Sequence, residues 1–244
     1  MFLGWGAVTS VRTVVESPWV GLVLAVSGGF LDAYTYVAQG GVFANAMTGN
    51  VVLAAVSLSQ HAWGEALLKC WPILAYAAGV CASEALRLPR VWAAVRRPYL
   101  AILGLEMLVL SAGALNADRL PQPWVVVGIG FVAALQTTTF RRIGAFAYSS
   151  VMTTGNLRSF ACASFHAVAR RDAQQQRKAL VYASVIVCFF AGALLGAGSA
   201  HVFGNAALWL PVALVGTAVA LLVLHLRAGG AAPRPPAWHP SPRD

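Results

Sequence analysis

Charged residues are scarce in this chain. Only 10% of its 244 residues are Asp, Glu, Lys or Arg, whereas 59% are hydrophobic. A soluble globular domain carries about 25% charged residues, so these charges are too few to cover a soluble globule of this size. The apolar residues also form blocks about as long as a bilayer is thick. The sequence therefore predicts an integral membrane protein whose main partner is the lipid bilayer.

Acidic residues are the scarcest of the charged ones. There are 8 of them against 17 basic residues, which gives a net charge of +9. In a soluble protein this excess would suggest nucleic-acid binding. Here the basic residues lie mainly in short loops between apolar blocks, which is the pattern that orients a membrane protein. We therefore expect no nucleic-acid partner.

Motifs for metal binding and catalysis are also missing. The four cysteines form no CxxC pair and lie near no His at ligand spacing, which predicts neither a zinc site nor a disulfide; they are Cys70, Cys81, Cys162 and Cys188. The sequence has no Ser-His-Asp set, no His-Glu-x-x-His and no P-loop. We therefore expect no enzyme, no catalytic residue, no bound metal and no cofactor.

Long apolar blocks are what the sequence has in abundance. Six of them approach the roughly 20 residues that a transmembrane helix needs; they run over about 18–39, 68–86, 98–116, 123–140, 179–200 and 208–226. The first and fourth open on Pro-Trp, at Trp19 and Trp124, as suits the aromatic belt of a membrane interface. Two further apolar segments, 42–59 and 145–165, are interrupted by polar residues and are too short to span.

Each short segment contains the tripeptide Thr-Gly-Asn. It occurs as Thr48-Gly49-Asn50, shortly after Asn45, and again as Thr154-Gly155-Asn156. Polar groups of this kind are costly in hydrocarbon unless they find partners. One hypothesis is that they line a solute site together with helix N-termini. The other is that they only cap two short helices that begin inside the protein.

Two topologies are compatible with these segments. If both Thr-Gly-Asn segments cross the membrane, there are eight spans, and the arginines of 87–97 and 141–142 lie opposite those of 170–178, against the positive-inside rule. If each segment enters and leaves on one side, six spans remain, and nearly all basic residues share a side. We choose six spans with both termini in the cytoplasm.

The six-span topology divides the chain into two similar halves. We expect a lead over 1–17, a first transmembrane repeat over 18–116, a linker over 117–122, a second repeat over 123–226 and a disordered Pro-rich tail over 227–244. An odd number of spans per half inverts the second half relative to the first. The predicted fold class is all-α: a polytopic transmembrane helix bundle with six spans plus two re-entrant or broken-helix segments, in an inverted 3+3 repeat.

Two polar residues lie inside predicted spans of the two halves. Asp32 is in the first span, and Gln136, in the fourth, stands at the corresponding place. An ionisable residue inside a span is a functional hypothesis by default. Asp32 is therefore a candidate proton or cation site, and the alternative is that it caps backbone amides of the broken segment after it. We expect Asn50 and Asn156 to meet near the midplane, with Asp32 and Gln136 flanking them.

Two further charges fall inside apolar segments. Glu106 is in the third predicted span, and Arg158 is in the second short segment. Because a lone charge in hydrocarbon costs several kcal/mol, we predict a buried Glu106–Arg158 ion pair, with a proton relay at Glu106 as the alternative. Because Glu84 lies near a basic loop, we predict that it pairs with an arginine at the surface. Small residues spaced four apart predict close helix packing; they are Gly79 with Ser83, and Gly192 with Gly196.

Several short stretches of the sequence are similar to those of a known family. In the first half they are Gly29-Phe30-Leu31-Asp32-Ala33 and Val42 to Asn50. In the second half they are Leu135-Gln136, Phe140-Arg141-Arg142 and Thr154-Gly155-Asn156-Leu157-Arg158. With these stretches the sequence resembles the YoaK-like family of bacterial inner-membrane proteins of unknown function. The family usually has Asn after that Gln, and Thr137 stands there instead. The resemblance implies a multi-pass protein of the bacterial inner (plasma) membrane and supplies no established substrate or reaction.

Together these observations predict a transporter or channel for a small molecule or an ion. Nine residues are the candidates for substrate binding: Asp32, Asn45, Thr48, Gly49, Asn50, Gln136, Thr154, Gly155 and Asn156. The alternative is a membrane scaffold that transports nothing, in which the same groups only satisfy the backbone. A wide hydrated centre would favour the transporter, and a filled centre the scaffold.

Overall fold

A computed structural model describes residues 14–95, 97–116 and 121–228. Most of the predicted lead, most of the linker and the tail beyond 228 lie outside the described residues. The part that is described is mainly helical, which confirms the prediction of a mainly α-helical protein. One short antiparallel hairpin departs from it, with strands β1, Arg142–Ile143, and β2, Phe146–Ala147.

The helices follow the predicted segments closely. The first half contains α1 Pro18–Ala38, α2 Met47–Ser59, α3 Trp63–Leu86, α4 Pro89–Ala94 and α5 Pro98–Asn116. The second half contains α6 Gln122–Thr139, α7 Thr153–Arg170, α8 Ala173–Phe203, a 3-10 turn Gly204–Leu208 and α9 Trp209–Arg227. The short helix α4, in the basic loop before α5, was not predicted. It begins at Pro89, a residue suited to the first helical position.

Within the described ranges, four helical stretches are long and apolar enough to cross a membrane. They are Pro18–Ala38, Trp63–Leu86, Pro98–Asn116 and the stretch Ala173–Arg227, which joins α8 to α9. Large apolar side chains cover much of the outer surface, as lipid surroundings require. Exposed tryptophans stand at the starts of four helices and suit membrane interfaces; they are Trp19, Trp63, Trp124 and Trp209.

The helix contacts of the two halves correspond to one another. Helix α1 packs against α8, as α6 packs against α3. Helix α2 packs against α3, as α7 packs against α8, and α1 packs against α9, as α6 packs against α5. Helices α5 and α9 pack against each other. Exchanging the halves therefore maps each of these pairs onto another pair or onto itself.

The closest helix crossings use the predicted small residues. A Cβ added at Gly192 would collide with the backbone carbonyl of Val26, and one added at Gly79 would collide with that of Phe131. Gly196 meets the Phe30 carbonyl in the same way, and Ser83, at the matching place in α3, is buried. The prediction of close packing is thus confirmed for the three glycines. These crossings fix α1 against α8 and α6 against α3.

Candidate functional site

The first loop, residues 39–46, turns back along α1. Gly40 and Gly41 have positive φ angles of 79° and 68°, which glycine adopts without steric cost. The Ala44 N–H then donates to Thr35 Oγ1 at 3.0 Å, and the Asn45 N–H donates to Asp32 Oδ1 at 2.7 Å. The Asn45 side-chain amide donates to the Gly28 carbonyl at 3.2 Å. The loop thus runs from the C-terminal end of α1 to its middle.

The second loop, residues 140–152, approaches α1 from the opposite end. Near the N-terminal end of α1, a Cβ added at Gly21 would lie 2.7 Å from the Ile143 side chain and 3.1 Å from the Tyr148 hydroxyl. Further along α1, a Cβ added at Gly28 would lie 2.6 Å from the Ser150 carbonyl oxygen. The two loops therefore meet at Gly28.

We call Gly28, Asp32, Asn45 and Ser150 the loop junction. The side chains of Asp32, Asn45 and Ser150 are all buried. Only glycine at position 28 lets both loops come so close to α1, because a Cβ would occupy the place of the Ser150 carbonyl. Among the described residues, Asn45 Oδ1 and Ser150 Oγ have no hydrogen-bond partner. The junction thus holds two buried oxygen atoms that are free to bind a ligand or water.

The asparagines of the two tripeptides make the same contacts in the two halves. Asn50 is the fourth residue of α2; its amide accepts from the Phe43 N–H at 2.8 Å and donates to the Phe43 carbonyl at 2.7 Å. Asn156 is the fourth residue of α7, and it pairs in the same way with Ser149, at 3.2 and 2.7 Å. Both asparagines are buried. Each one fastens a helix to the loop before it.

We expect Asn50→Ala and Asn156→Ala to destabilise the protein by similar amounts. Each change removes two hydrogen bonds and leaves a backbone N–H and C=O without a partner, which costs about 2 to 4 kcal/mol. Unfolding of the purified protein in mixed detergent micelles measures the loss. Thr48→Ala and Thr154→Ala, at the exposed neighbours, are the controls and should change stability little. If an asparagine variant is as stable as its threonine control, the hydrogen bonds between that asparagine and its loop are not formed.

Capping of the chain before the two short helices differs between the halves. In the first half, Asp32 Oδ1 accepts from the N–H groups of Asn45 and Ala46, at 2.7 and 3.3 Å. In the second half, Ser149 Oγ accepts from the N–H groups of Val151 and Met152, at 3.4 and 3.1 Å. Asp32 therefore acts as a cap, which was one of its two predicted roles. Ser149 takes over that role in the second half.

Gln136 was predicted to be the counterpart of Asp32. If Gly192 in α8 corresponds to Gly79 in α3, their contacts match Val26 with Phe131. Asp32 then corresponds to Thr137, one residue beyond Gln136. Thr137 Oγ1 donates to the Ala133 carbonyl, one turn earlier in α6, at 2.8 Å. Gln136 is buried, and its Nε2 has no partner among the described residues.

The other residues of the tripeptides point away from the junction or pack locally. Thr48, Thr154 and Gly155 are exposed on the outside of their helices. Gly49 lies under the Phe43 ring, which a Cβ would approach to 2.9 Å. Of the nine predicted site residues, only Asp32 and Asn45 belong to the loop junction.

The predicted ion pair between Glu106 and Arg158 does not form. Glu106 is fully buried on α5, and neither of its carboxylate oxygens has a hydrogen-bond partner among the described residues. Arg158 is exposed on α7, a helix that packs against α8. The two charges fail to meet because α7 lies on the outside of the bundle. Glu84 does pair with Arg87, at 2.7 Å, which confirms the prediction for that residue.

Sequence reasoning missed the serines before the second tripeptide. Ser149 and Ser150 precede Asn156 at the places that Phe43 and Ala44 occupy before Asn50. Aligning the two asparagines would have brought this substitution of polar for apolar residues to notice. Gly28, one residue before the first family stretch, was also missed.

Comparison with known proteins shows the family to which the chain belongs. A family model described as a protein of unknown function (DUF1275) matches residues 20–222. The chain belongs to the DUF1275 family. It is also similar to the UPF0700 transmembrane protein YoaK of Bacillus subtilis (strain 168), with 21% identity over 201 residues, which cover 79% of this chain and 88% of YoaK. No solved structure matches the chain. This DUF1275 member is accordingly a membrane protein of the YoaK-like family, as the motifs predicted.

Proposed function

We propose that this protein is a carrier or channel for a small polar solute or ion in the bacterial inner membrane. In this proposal the chain has six spans and two re-entrant segments, and both termini are cytoplasmic. The two halves form an inverted 3+3 repeat, an architecture that many secondary transporters share. The solute binds at the loop junction.

Three observations support the inverted repeat. The two loops approach Gly28 from opposite ends of α1. The helix pairs of one half correspond to those of the other. Asn50 and Asn156 hold their loops through the same pair of hydrogen bonds. An inverted repeat explains all three together, because it brings equivalent segments to the centre from opposite sides of the membrane.

The single observation that supports a binding site is the pair of oxygens without partners at the junction. Asn45 Oδ1 is an acceptor, and Ser150 Oγ can both donate and accept. Leaving such groups unpaired in an apolar interior costs about 1 to 3 kcal/mol each. Non-helical backbone at membrane depth is tolerated where it lines a cavity or is buried in protein. A bound polar solute or ion would satisfy both oxygens.

The scaffold alternative has an observation of its own. The amides of Asn50 and Asn156 are fully engaged with the backbone, and Asp32 accepts from two backbone N–H groups. Two of the pockets in the described surface, of about 170 and 410 Å³, have mostly apolar linings that include no residue of the junction. The carrier therefore requires that this closed arrangement opens.

A thermal-shift screen on the purified protein tests the proposal. A small polar solute that binds only the folded state raises its stability as concentration rises. We expect such a solute to raise the melting temperature of the wild type and to have a much smaller effect on Asn45→Ala and Ser150→Ala. Ser59→Ala, at the end of α2, is the control and should respond as the wild type does. A solute that stabilises the wild type and both junction variants equally would bind elsewhere.

Labelling of single cysteines tests the topology. A cysteine at Ser59 should react with a membrane-impermeant thiol reagent from the periplasm, and one at Gln174 only from the cytoplasm. The expectation follows from the distribution of arginines and lysines. Reaction of the cysteine at position 174 from the periplasm would exclude the six-span topology.

A further inference from the structure

Glu106 is an acid in an apolar part of the bundle, apart from the loop junction. It is 0% exposed, and Leu103 and Leu110, one turn away on either side, are also fully buried. Both leucines belong to one apolar cluster that also includes Leu24 and Leu31 of α1 and Val215 of α9. Neither Glu106 oxygen has a hydrogen-bond partner among the described residues.

The elements packed most extensively against α5 are α6, α9 and the 3-10 turn 204–208, and they supply no charge at the depth of Glu106. Helix α1, which shares the apolar cluster, carries Asp32, which accepts from the first loop, and Tyr34, whose hydroxyl donates to Asn205. Helix α6 and the turn contain no ionisable residue, and those of α9 are His225 and Arg227 in its last turn. Since Gly113 meets Leu208 and Gly216 meets Met107, α9 runs antiparallel to α5, and its last turn lies beyond Glu106. Tyr99, two turns earlier, is the other ionisable residue of α5.

An isolated carboxylate in such a place costs several kcal/mol. With no cation beside it, Glu106 is held in its neutral, protonated form. Even the neutral carboxyl is costly when its donor and acceptors stay unpaired, and an apolar residue of similar size would pack better. Packing alone therefore does not explain why an acid stands between two leucines.

We propose that Glu106 is a proton-binding site that couples proton release to opening of the bundle. The carboxyl keeps its proton while α5 is packed against α6 and α9. When these helices separate, water reaches the carboxyl, solvates its charged form and allows the proton to leave. This deepens the proposed carrier function and rests on it, since it makes the proton the coupling ion.

Two measurements, with an isosteric variant as the reference, test the site. The first compares the melting temperatures of the wild type and Glu106→Gln from acidic to alkaline pH. A proton bound in the folded state and lost on unfolding makes stability fall as pH rises. We expect the two proteins to melt alike at acidic pH and the wild type to lose more stability than Glu106→Gln at alkaline pH. Glu84→Gln, at a surface ion pair, is the control and should follow the wild type.

The second measurement detects opening and uses only the wild-type protein, so it does not depend on the folding of a variant. A membrane-permeant hydrophobic carbodiimide, which reacts with protonated carboxyls in apolar surroundings, is applied to wild-type protein in membranes, and mass spectrometry locates the adduct. We expect an adduct on Glu106 that decreases at alkaline pH. Parallel melting curves would overturn the proposal. An unlabelled Glu106 would also overturn it, because a neutral carboxyl that is never reached releases no proton. If Glu106 forms the adduct but no solute raises the melting temperature in the thermal-shift screen, the result supports the proton site and contradicts only the solute site.

Discussion

Replacing Gly192 with valine should abolish folding of the protein in the membrane. A Cβ at position 192 would overlap the Val26 carbonyl, so α1 and α8 would have to move apart along the whole crossing. Overpacking by a β-branched residue against a rigid backbone belongs to the class of changes that cost more than about 4 kcal/mol. Size-exclusion chromatography of the extracted protein should show loss of the monodisperse peak.

The same helix provides the control for this change. Gly198 also lies in α8, and a Cβ added there meets nothing within 4 Å, so Gly198→Val should leave the peak intact. The first half offers a second pair in α3, with Gly79→Val as the disruptive change and Gly64→Val as its control, since Gly64 has open space. A Gly192→Val or Gly79→Val variant that folds like its control would show that these crossings are not formed.

Asp32→Ala should have the second largest effect. It removes the acceptor for the N–H groups of Asn45 and Ala46 and leaves both near the middle of the bundle without a partner. An unsatisfied buried group costs about 1 to 3 kcal/mol, so we expect a loss of about 2 to 6 kcal/mol for the pair. Unfolding in mixed detergent micelles measures it. Ser149→Ala, which removes the longer bonds of the second half, should cost less.

Asp32→Asn separates the structural role of Asp32 from an ionic one. The asparagine oxygen can still accept from both backbone N–H groups, so we expect the variant to insert and fold. If Asp32 ionises during transport, Asp32→Asn should lose the pH dependence of solute binding or transport. If Asp32→Asn behaves as the wild type in every solute assay, the role of Asp32 is only to cap the backbone N–H groups.

The sequence predicted the long helices well because an apolar block of membrane length permits little else. Helix α5 begins and ends at the predicted residues, 98 and 116, whereas α3 begins at Trp63 instead of 68, and α8 begins at Ala173 instead of 179. Helices α3 and α8 both extend into polar sequence, which is Gly64-Glu65 in α3 and Gln174-Gln175-Gln176 in α8. Hydropathy reports the apolar part of a helix and leaves its polar extension undetected.

The candidate site was harder to predict, because both faces of a helix in lipid are apolar. Periodicity then does not show which side faces the bundle, and Arg158 was assigned to the interior although it is exposed on α7. The repeated tripeptide drew attention to the right segments. Only its asparagine is buried in each half. The residues that reach Gly28 from the two loops, Asn45 and Ser150, come before it. Which loop residues meet depends on the packing of two segments far apart in sequence.

Access of water to Ser150 from both sides of the membrane tests the central claim most directly. The four native cysteines are replaced by alanine, and a single cysteine is placed at Ser150 or, as a buried control outside the junction, at Ala163. Membrane-impermeant thiol reagents are then applied to right-side-out and inside-out vesicles, with cysteines at Ser59 and Gln174 marking the two sides. A carrier with its site at the loop junction predicts slow labelling of position 150 in both kinds of vesicle and none of position 163. Labelling of position 150 in neither kind of vesicle, in protein that folds normally, would contradict the transport proposal and favour the scaffold.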